Sequence, residues 1–366
     1  MLIASVVMHG PFGLATFHGA REAGLSFWPA VVLALGLVAL GIRLFVGRLR
    51  GAIDDRPRSW AKLWLLDMPY FVHFGACVFL LVPGLVALLL MPLTGAHLNF
   101  FLRTYQTGAL IAAYAVFVRR NWFVVKNVDV TIPGLPAAFD GYTIAHLSDL
   151  HIGGLMPAAS AMRWVRAANE RSPDLCVVTG DVVTNGTAFH PDIARVLGAL
   201  RARDGTVLSM GNHDYFGDGE PLITLVRAAG VTVMRNEGRA LERAGESVYL
   251  AAIDDTWTRR ADMDKALSDR PAGMKTILLA HDPDQWDGAR DRDVSLTLSG
   301  HTHGGQVAVP FLARWLTLSR FAHAYSLGKF VQGDRTLYVH PGLGTTGPPI
   351  RLGVAPAVVI LRLRRA

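Results

Sequence analysis

The stretch Ser299-Gly-His-Thr-His-Gly-Gly305 sets two imidazoles two residues apart in a glycine-flanked turn. Residues two apart in an extended segment project to the same side, and glycines let the backbone bend closely around whatever sits there. A metal ion would suit His301 and His303, although a polar loop could use the same residues. Comparable groups recur upstream: Asp149 and His151, then Asp181, then Asn212, His213 and Asp214 in one run, then His281. Each stands just after a short apolar run of strand length. Singly, each has an ordinary explanation, because Asp and Asn are common in turns and a loop histidine is usually just hydrogen-bonded. Five such strand ends in one chain are harder to explain that way. Carboxylates, an amide and imidazoles without a thiolate make an oxygen/nitrogen donor set, which suits manganese, iron or zinc better than a structural zinc clip.

The elements that must position these groups are legible from Asn127 onward. Strands are expected at 124–132, 142–147, 175–179, 206–210, 231–234, 248–253, 276–280, 294–298, 336–339 and 357–363, with helices at 158–169, 192–202 and 221–229 between several of them. Strands alternating with helices indicate a layered α/β domain, and in such sheets sites gather at the carboxyl ends of the strands. His146 lies inside an apolar strand and reads as a core histidine.

Residues 1–126 are different in kind. The chain of 366 residues is 51% hydrophobic, and the excess lies in this part. Three runs approach the 20 or so apolar residues needed to cross a bilayer: 25–46, 68–93 and, weakest, 100–118; in 1–20, His9, Pro11 and His18 argue against a simple span, which leaves an extra helix, a re-entrant piece or a loose terminus. The net charge of +7 sits here too, with 11 Lys and Arg against 4 Asp and Glu up to Lys126, and 25 against 25 beyond it. Basic residues between Arg43 and Lys62, and after the third run, place those loops and the domain from 127 to 366 in the cytoplasm, the protein being expected in an inner membrane. A charge-balanced domain argues against nucleic acid as a partner. Cys77 and Cys176 read as small core residues.

The ordered series Asp149-Leu-His151, Gly180-Asp181, Gly211-Asn-His-Asp214, His281 and Gly300-His-Thr-His303 resembles the calcineurin-like metallophosphoesterase superfamily. His281-Asp-Pro283, Gly304-Gly-Gln306 and Gly342-Leu-Gly344 with Arg351 resemble its bacterial membrane-associated branch, some of whose members are similar to hydrolases of UDP-2,3-diacylglucosamine. The resemblance implies an α/β fold, a layered β-sandwich flanked by helices, and a phosphohydrolase with two divalent metal ions. It further implies that Asp149, His151 and His303 hold one ion, Asn212, His281 and His301 the other, and that Asp181 bridges them. His213 would then be a proton donor to the leaving oxygen, with Asp214 as its orienting partner. His340, after a strand, is read as lining the substrate pocket or as a structural histidine, and Arg351 as binding a substrate phosphate, whose geometry guanidinium matches, or as a surface arginine. One departure is Thr184, which stands where many members carry a second acid.

A membrane-tethered scaffold on the same fold would require lost ligands, and none is missing. The run from Val307 to Phe330 is rich in apolar and aromatic residues, Phe311 and Trp315 among them, with basic residues interspersed. Such a segment can lie at a lipid interface, so a lipid-linked phosphoester is expected as substrate, and membrane lipids as neighbours.

Overall fold

The computed structural model describes residues 2–51, 58–94, 99–309, 312–313 and 316–366. They form two compact units, one from the N-terminal helices through Arg119 together with Pro348–Ile350, the other from Arg120–Gly347 and Arg351–Ala366.

Among the described residues, the first unit holds four α-helices: α1 (Leu2–Glu22), α2 (Phe27–Gly51), α3 (Met68–Thr94) and α4 (Asn99–Ala113). A wider π-type turn at Lys62–Asp67 leads into α3, and another at Tyr114–Val118 continues α4. Two helical stretches among the described residues are long and apolar enough to cross a membrane, Phe27–Arg48 and Lys62–Leu90. The expected third span does form a helix, but Arg103 and Gln106 fall within it, and it is not among those two. Residues 2–22, left open by the sequence, are helical despite Pro11. Asp67 is buried between Arg48 and Arg58, at 2.8 and 2.6 Å, so its charge is doubly compensated.

The second unit is built on two six-stranded sheets. One holds β1 (Val124–Ile132), β2 (Thr143–Leu147), β3 (Leu175–Thr179), β4 (Thr206–Ser209), β5 (Thr232–Val233) and the late β12 (Ala357–Arg365), in the order β1-β12-β2-β3-β4-β5. The other holds β6 (Glu237–Arg243), β7 (Glu246–Ala252), β8 (Thr276–Leu279), β9 (Leu296–Ser299), β10 (Gly328–Gln332) and β11 (Arg335–Val339), in the order β10-β11-β9-β8-β7-β6. Within each sheet the central strands run parallel, β2-β3-β4 in one and β7-β8-β9-β11 in the other.

Strand alternation explains the layers. On β3, Leu175 and Val177 face the second sheet and join Leu250, Leu279 and Leu296 in the core between the sheets. Cys176 and Val178 point the other way, onto Trp164 of α5 (Ala158–Asn169), Ile193 of α6 (His190–Leu197) and Leu222 of α7 (Gly219–Ala228). The outer face of the second sheet packs on Ala266 of α8 (Met263–Ala266) and Trp286 and Ala289 of α9 (Trp286–Asp291). Sheets buried on both faces need continuous apolar strands, and that is why most were legible. The two that escaped notice are edge strands: β6 carries four charges in seven residues and is mostly solvated, as is β10.

Candidate metal centre

The carboxyl ends of the parallel strands in both sheets converge, and the turns that follow them carry the candidate donors. Asp149 and His151 follow β2, Asp181 follows β3, and Asn212 follows β4; from the other sheet come His281 after β8 and His301 and His303 after β9. All are buried except His301, which is partly exposed. Asp149, His151, Asp181, His301 and His303 all have positive φ, between 46° and 68°. L-residues adopt that conformation at a cost, and clusters of it mark places where side chains are aimed at a common point. The crossing of the turns requires glycine at Gly300, where a Cβ would collide with Ser148 Oγ and the Asp149 carboxylate.

The donors meet in two overlapping groups. His151 Nε2 and His303 Nε2 are 3.0 Å apart, and His303 Nε2 lies 3.4 Å from Asp149 Oδ1. His281 Nε2 is 3.2 Å from His301 Nδ1. Asp181 stands between the groups, its Oδ2 at 3.2 Å from His281 Nε2 and 3.7 Å from His151 Nε2, while Oδ1 accepts the His213 backbone N–H at 2.9 Å. The nitrogen of His281 facing the centre is fixed by the other one, since Nδ1–H donates to the Thr179 carbonyl at 2.6 Å, the outer hydrogen bond that orients a ligating histidine.

These residues fit a pair of cations. Asp149 Oδ2 and Asn212 Oδ1 are buried acceptors without a hydrogen-bond partner among the described residues, a costly state that a bound ion relieves. Imidazole nitrogens approach one another closely, and two buried carboxylates face them. The electrostatics say the same: burial pushes Asp149 up to about 7, and burial, reinforced by His213, pushes His151 down to about 3. His301 is likewise lowered to about 3, mainly by burial. Burial works against the charged forms of Asp181 and His281 as well, but their mutual attraction outweighs it, holding Asp181 well below the usual range and lifting His281 to about 10. His151 and His301 are thus held neutral, the form in which an imidazole ligates a metal ion.

His213 is half-buried beside the centre, its ring 4.6 Å from that of His151 and perpendicular to it. Three expectations need correction. Asp214 does not orient His213; its carboxylate accepts backbone N–H groups from Asp181, Val182 and Gly211 at 2.8–2.9 Å, and Val183 at 3.3 Å. The partner of His213 Nδ1 is the Thr184 carbonyl, at 2.7 Å, while Thr184 Oγ1 donates to the His151 carbonyl. Arg351 is wholly buried rather than open to substrate, with its guanidinium on the Pro341 and Gly344 carbonyls and 3.2 Å from His303 Nδ1. His340 is buried too, its Nδ1 accepting the Gly342 N–H at 2.9 Å and its ring packed on His146. Both shape the Pro341–Gly344 turn behind the donors.

The rim holds residues that the sequence did not single out. Phe216 packs at a tilt against His213, with ring centres 4.4 Å apart, and Trp257, 62% exposed, lies 5.2 Å from His301. His323 sits 5.0 Å from His301 and is paired with Asp284 at 3.0 Å. The signal for Trp257 was its place after β7, another strand end in the same row.

Comparisons with known proteins place the chain in a family. The model of the calcineurin-like phosphoesterase family matches residues 142–305. An uncharacterized metallophosphoesterase of Bacillus subtilis, YkuE, is 34% identical over 265 residues, covering 70% of this chain and 92% of that protein. A zebrafish (Danio rerio) transmembrane protein with a metallophosphoesterase domain is 30% identical over 271 residues, 70% of this chain and 61% of that protein. An uncharacterized metallophosphoesterase of Helicobacter pylori is 30% identical, with 59% of this chain and 58% of that protein covered. The chain thus spans about three fifths of the zebrafish and Helicobacter relatives and nearly all of YkuE. With its strand-end donors and this likeness, the chain belongs to the calcineurin-like phosphoesterases and is a metal-dependent phosphoesterase.

Proposed function

We propose that the protein is a membrane-anchored phosphohydrolase that cleaves a phosphodiester or pyrophosphate bond in a lipid-linked substrate, an acylated UDP-glucosamine being the leading candidate and a glycerophospholipid the next. Asp149, His151 and His303 would hold one ion and Asn212, His281 and His301 the other, with Asp181 shared. The donor set admits manganese, iron or zinc, and manganese is the ion we favour. When bound, two such ions polarise the phosphoryl group and acidify water. His213, anchored through Nδ1 on Thr184, keeps Nε2 available to hold a proton for the leaving oxygen. Thr184 and Asp214 position the turns that carry His213 and Asp181.

The observation that carries the lipid reading is the apolar surface beside the centre. The segment after β9 is tied to the site through Thr317 Oγ1, which donates to the Gly304 carbonyl at 2.8 Å. Along it Val309, Leu312, Leu316 and Phe321 are exposed, Phe321 at 91%. Phe311 and Trp315 lie outside the described residues. Phe216 and Trp257 extend the exposed apolar rim at the centre itself. Exposed apolar side chains on a segment tied to a site mark a place where a membrane or an apolar ligand docks. The two apolar helical stretches support anchoring, and the zebrafish relative is named a transmembrane protein.

The test is a turnover screen of the purified full chain with manganese. It compares an acylated UDP-sugar, a glycerophosphodiester and a plain aryl phosphate. We expect the acylated substrate to be preferred, and Trp257→Ala with Phe321→Asp to reduce its turnover at least tenfold while the aryl phosphate is nearly unaffected. Turnover of the aryl phosphate alone would overturn the lipid reading and leave the phosphoesterase standing.

A further inference from the structure

Away from the phosphoesterase centre, three metal-capable side chains meet inside the helical unit. His9 comes from α1, and His73 and Cys77, one turn apart, from α3; their ligand atoms lie within 4.8 Å of one another. His9 and Cys77 are fully buried. The His9 Nδ1 atom is 2.7 Å from the Ser5 carbonyl, so it carries the proton and donates it there. Its Nε2 is left with a lone pair, buried, and has no hydrogen-bond partner among the described residues. His73 Nδ1 meets the Tyr105 hydroxyl of α4 at 3.0 Å and lies 3.9 Å from Cys77 Sγ. Cys77 Sγ lies 3.7 Å from His73 Nε2.

The remaining wall of the cluster is Gly41 of α2. A Cβ at that position would stand 2.7 Å from His9 Nε2 and 3.3 Å from His73 Nε2. Both nitrogens therefore approach α2 at a point where it presents no side chain. An imidazole whose outer nitrogen is tied to a carbonyl or hydroxyl, and whose inner nitrogen faces a second imidazole and a thiol, has the arrangement of a metal ligand. Simple helix packing does not call for an orphaned nitrogen in a buried position.

We propose that His9, His73 and Cys77 form a separate site for one soft or borderline transition-metal ion, zinc(II) or copper(I). Two imidazoles and a thiolate suit both ions, and they disfavour manganese. Binding replaces the thiol proton of Cys77 by the metal and releases it to solvent. Ser5 and Tyr105 orient the two rings. The thiolate separates this site chemically from the phosphoesterase centre, whose donors are oxygen and nitrogen only.

That difference provides the test. The full chain, purified in detergent and stripped of metal, is refilled with cobalt(II) as a probe for zinc, and in a parallel arm with cuprous ion under anaerobic conditions. A near-ultraviolet thiolate-to-cobalt charge-transfer band is expected, absent in Cys77→Ser and kept in Cys176→Ser. If copper(I) is the ion, one cuprous equivalent is retained by the wild type and lost in Cys77→Ser. Gly41→Ala, which crowds the His9 nitrogen without removing a ligand, should weaken binding at least tenfold in whichever arm is positive, and it serves if Cys77→Ser folds poorly. Phosphoesterase turnover in the loaded variants checks that each is folded. Absence of both signals in the wild type, or their persistence in Cys77→Ser, would overturn the proposal.

Discussion

Asp181, His213 and Asp214 are neighbours in space with three different tasks, and substitutions should separate them. Asp181 faces donors of both groups, through Oδ2 toward His281 and His151. Asp181→Ala is expected to lose bound metal and turnover together, as elemental analysis and a rate assay would show; full occupancy and full turnover would refute the shared-ligand assignment. His213→Ala should keep its metal and lose about 10²–10⁴ in rate if the ring delivers a proton. Asp214→Asn exchanges an acceptor of four backbone N–H groups for an amide that accepts at one atom only. It should lower stability by about 2 kcal/mol or more in a denaturant titration, and impair activity only through the displaced Asp181 turn.

At the scale of elements, the two sheets hold a titratable pair between their strand ends. His146 of β2 and His340, which follows β11, pack ring to ring at 4.8 Å. Burial drives His146 down to about 3 and His340 well below its ordinary value. Both are neutral in the folded chain, whereas the unfolded chain protonates them near pH 6.5. Stability is therefore intact above pH 6.5 and falls as pH drops from there toward the folded-state values, by up to about 1.4 kcal/mol per pH unit for each histidine. Urea midpoints measured from pH 7 to pH 5 should fall, and the slope should flatten in His146→Gln. An unchanged slope would mean that other groups dominate acid unfolding.

The same elements show what the sequence made legible. Donors at strand ends could be found because each turn follows an apolar strand of the doubly buried kind, and because the chemistry of the donor types is visible in their names. Burial of a single polar side chain is not visible in that way. Arg351 and His340 look like substrate ligands in sequence, and only the folded chain shows them behind the donors. Asp214 follows His213 directly, yet its carboxylate turns to the Asp181 backbone, a contact between residues about thirty apart. His9 and Cys77 read as an obstacle to a span and a core residue because their meeting depends on helix packing, to which periodicity is blind.

For the molecule as a whole, the uneven charge remains informative. Six of the basic residues, from Arg43 to Lys62, separate the first two apolar runs, while the remaining domain is neutral. Basic loops are retained in the cytoplasm, so a reporter that is active only when exported, fused after Ala366, should stay silent in bacterial cells. Strong reporter activity would reverse the orientation and remove an inner-leaflet substrate from consideration.

The strand order β1-β12-β2-β3-β4-β5 bears on how the protein is made. Among the described residues, β1 is paired only with β12, and β12 also separates it from β2. While the chain emerges from the ribosome, β1 and β2 both wait with open edges, through the synthesis of every donor turn, for Ala357–Arg365 to arrive. Long-range closure of this sort is slow, and open edges invite pairing with other chains. The nascent domain should therefore lean on chaperones until its final strand slides between the first two.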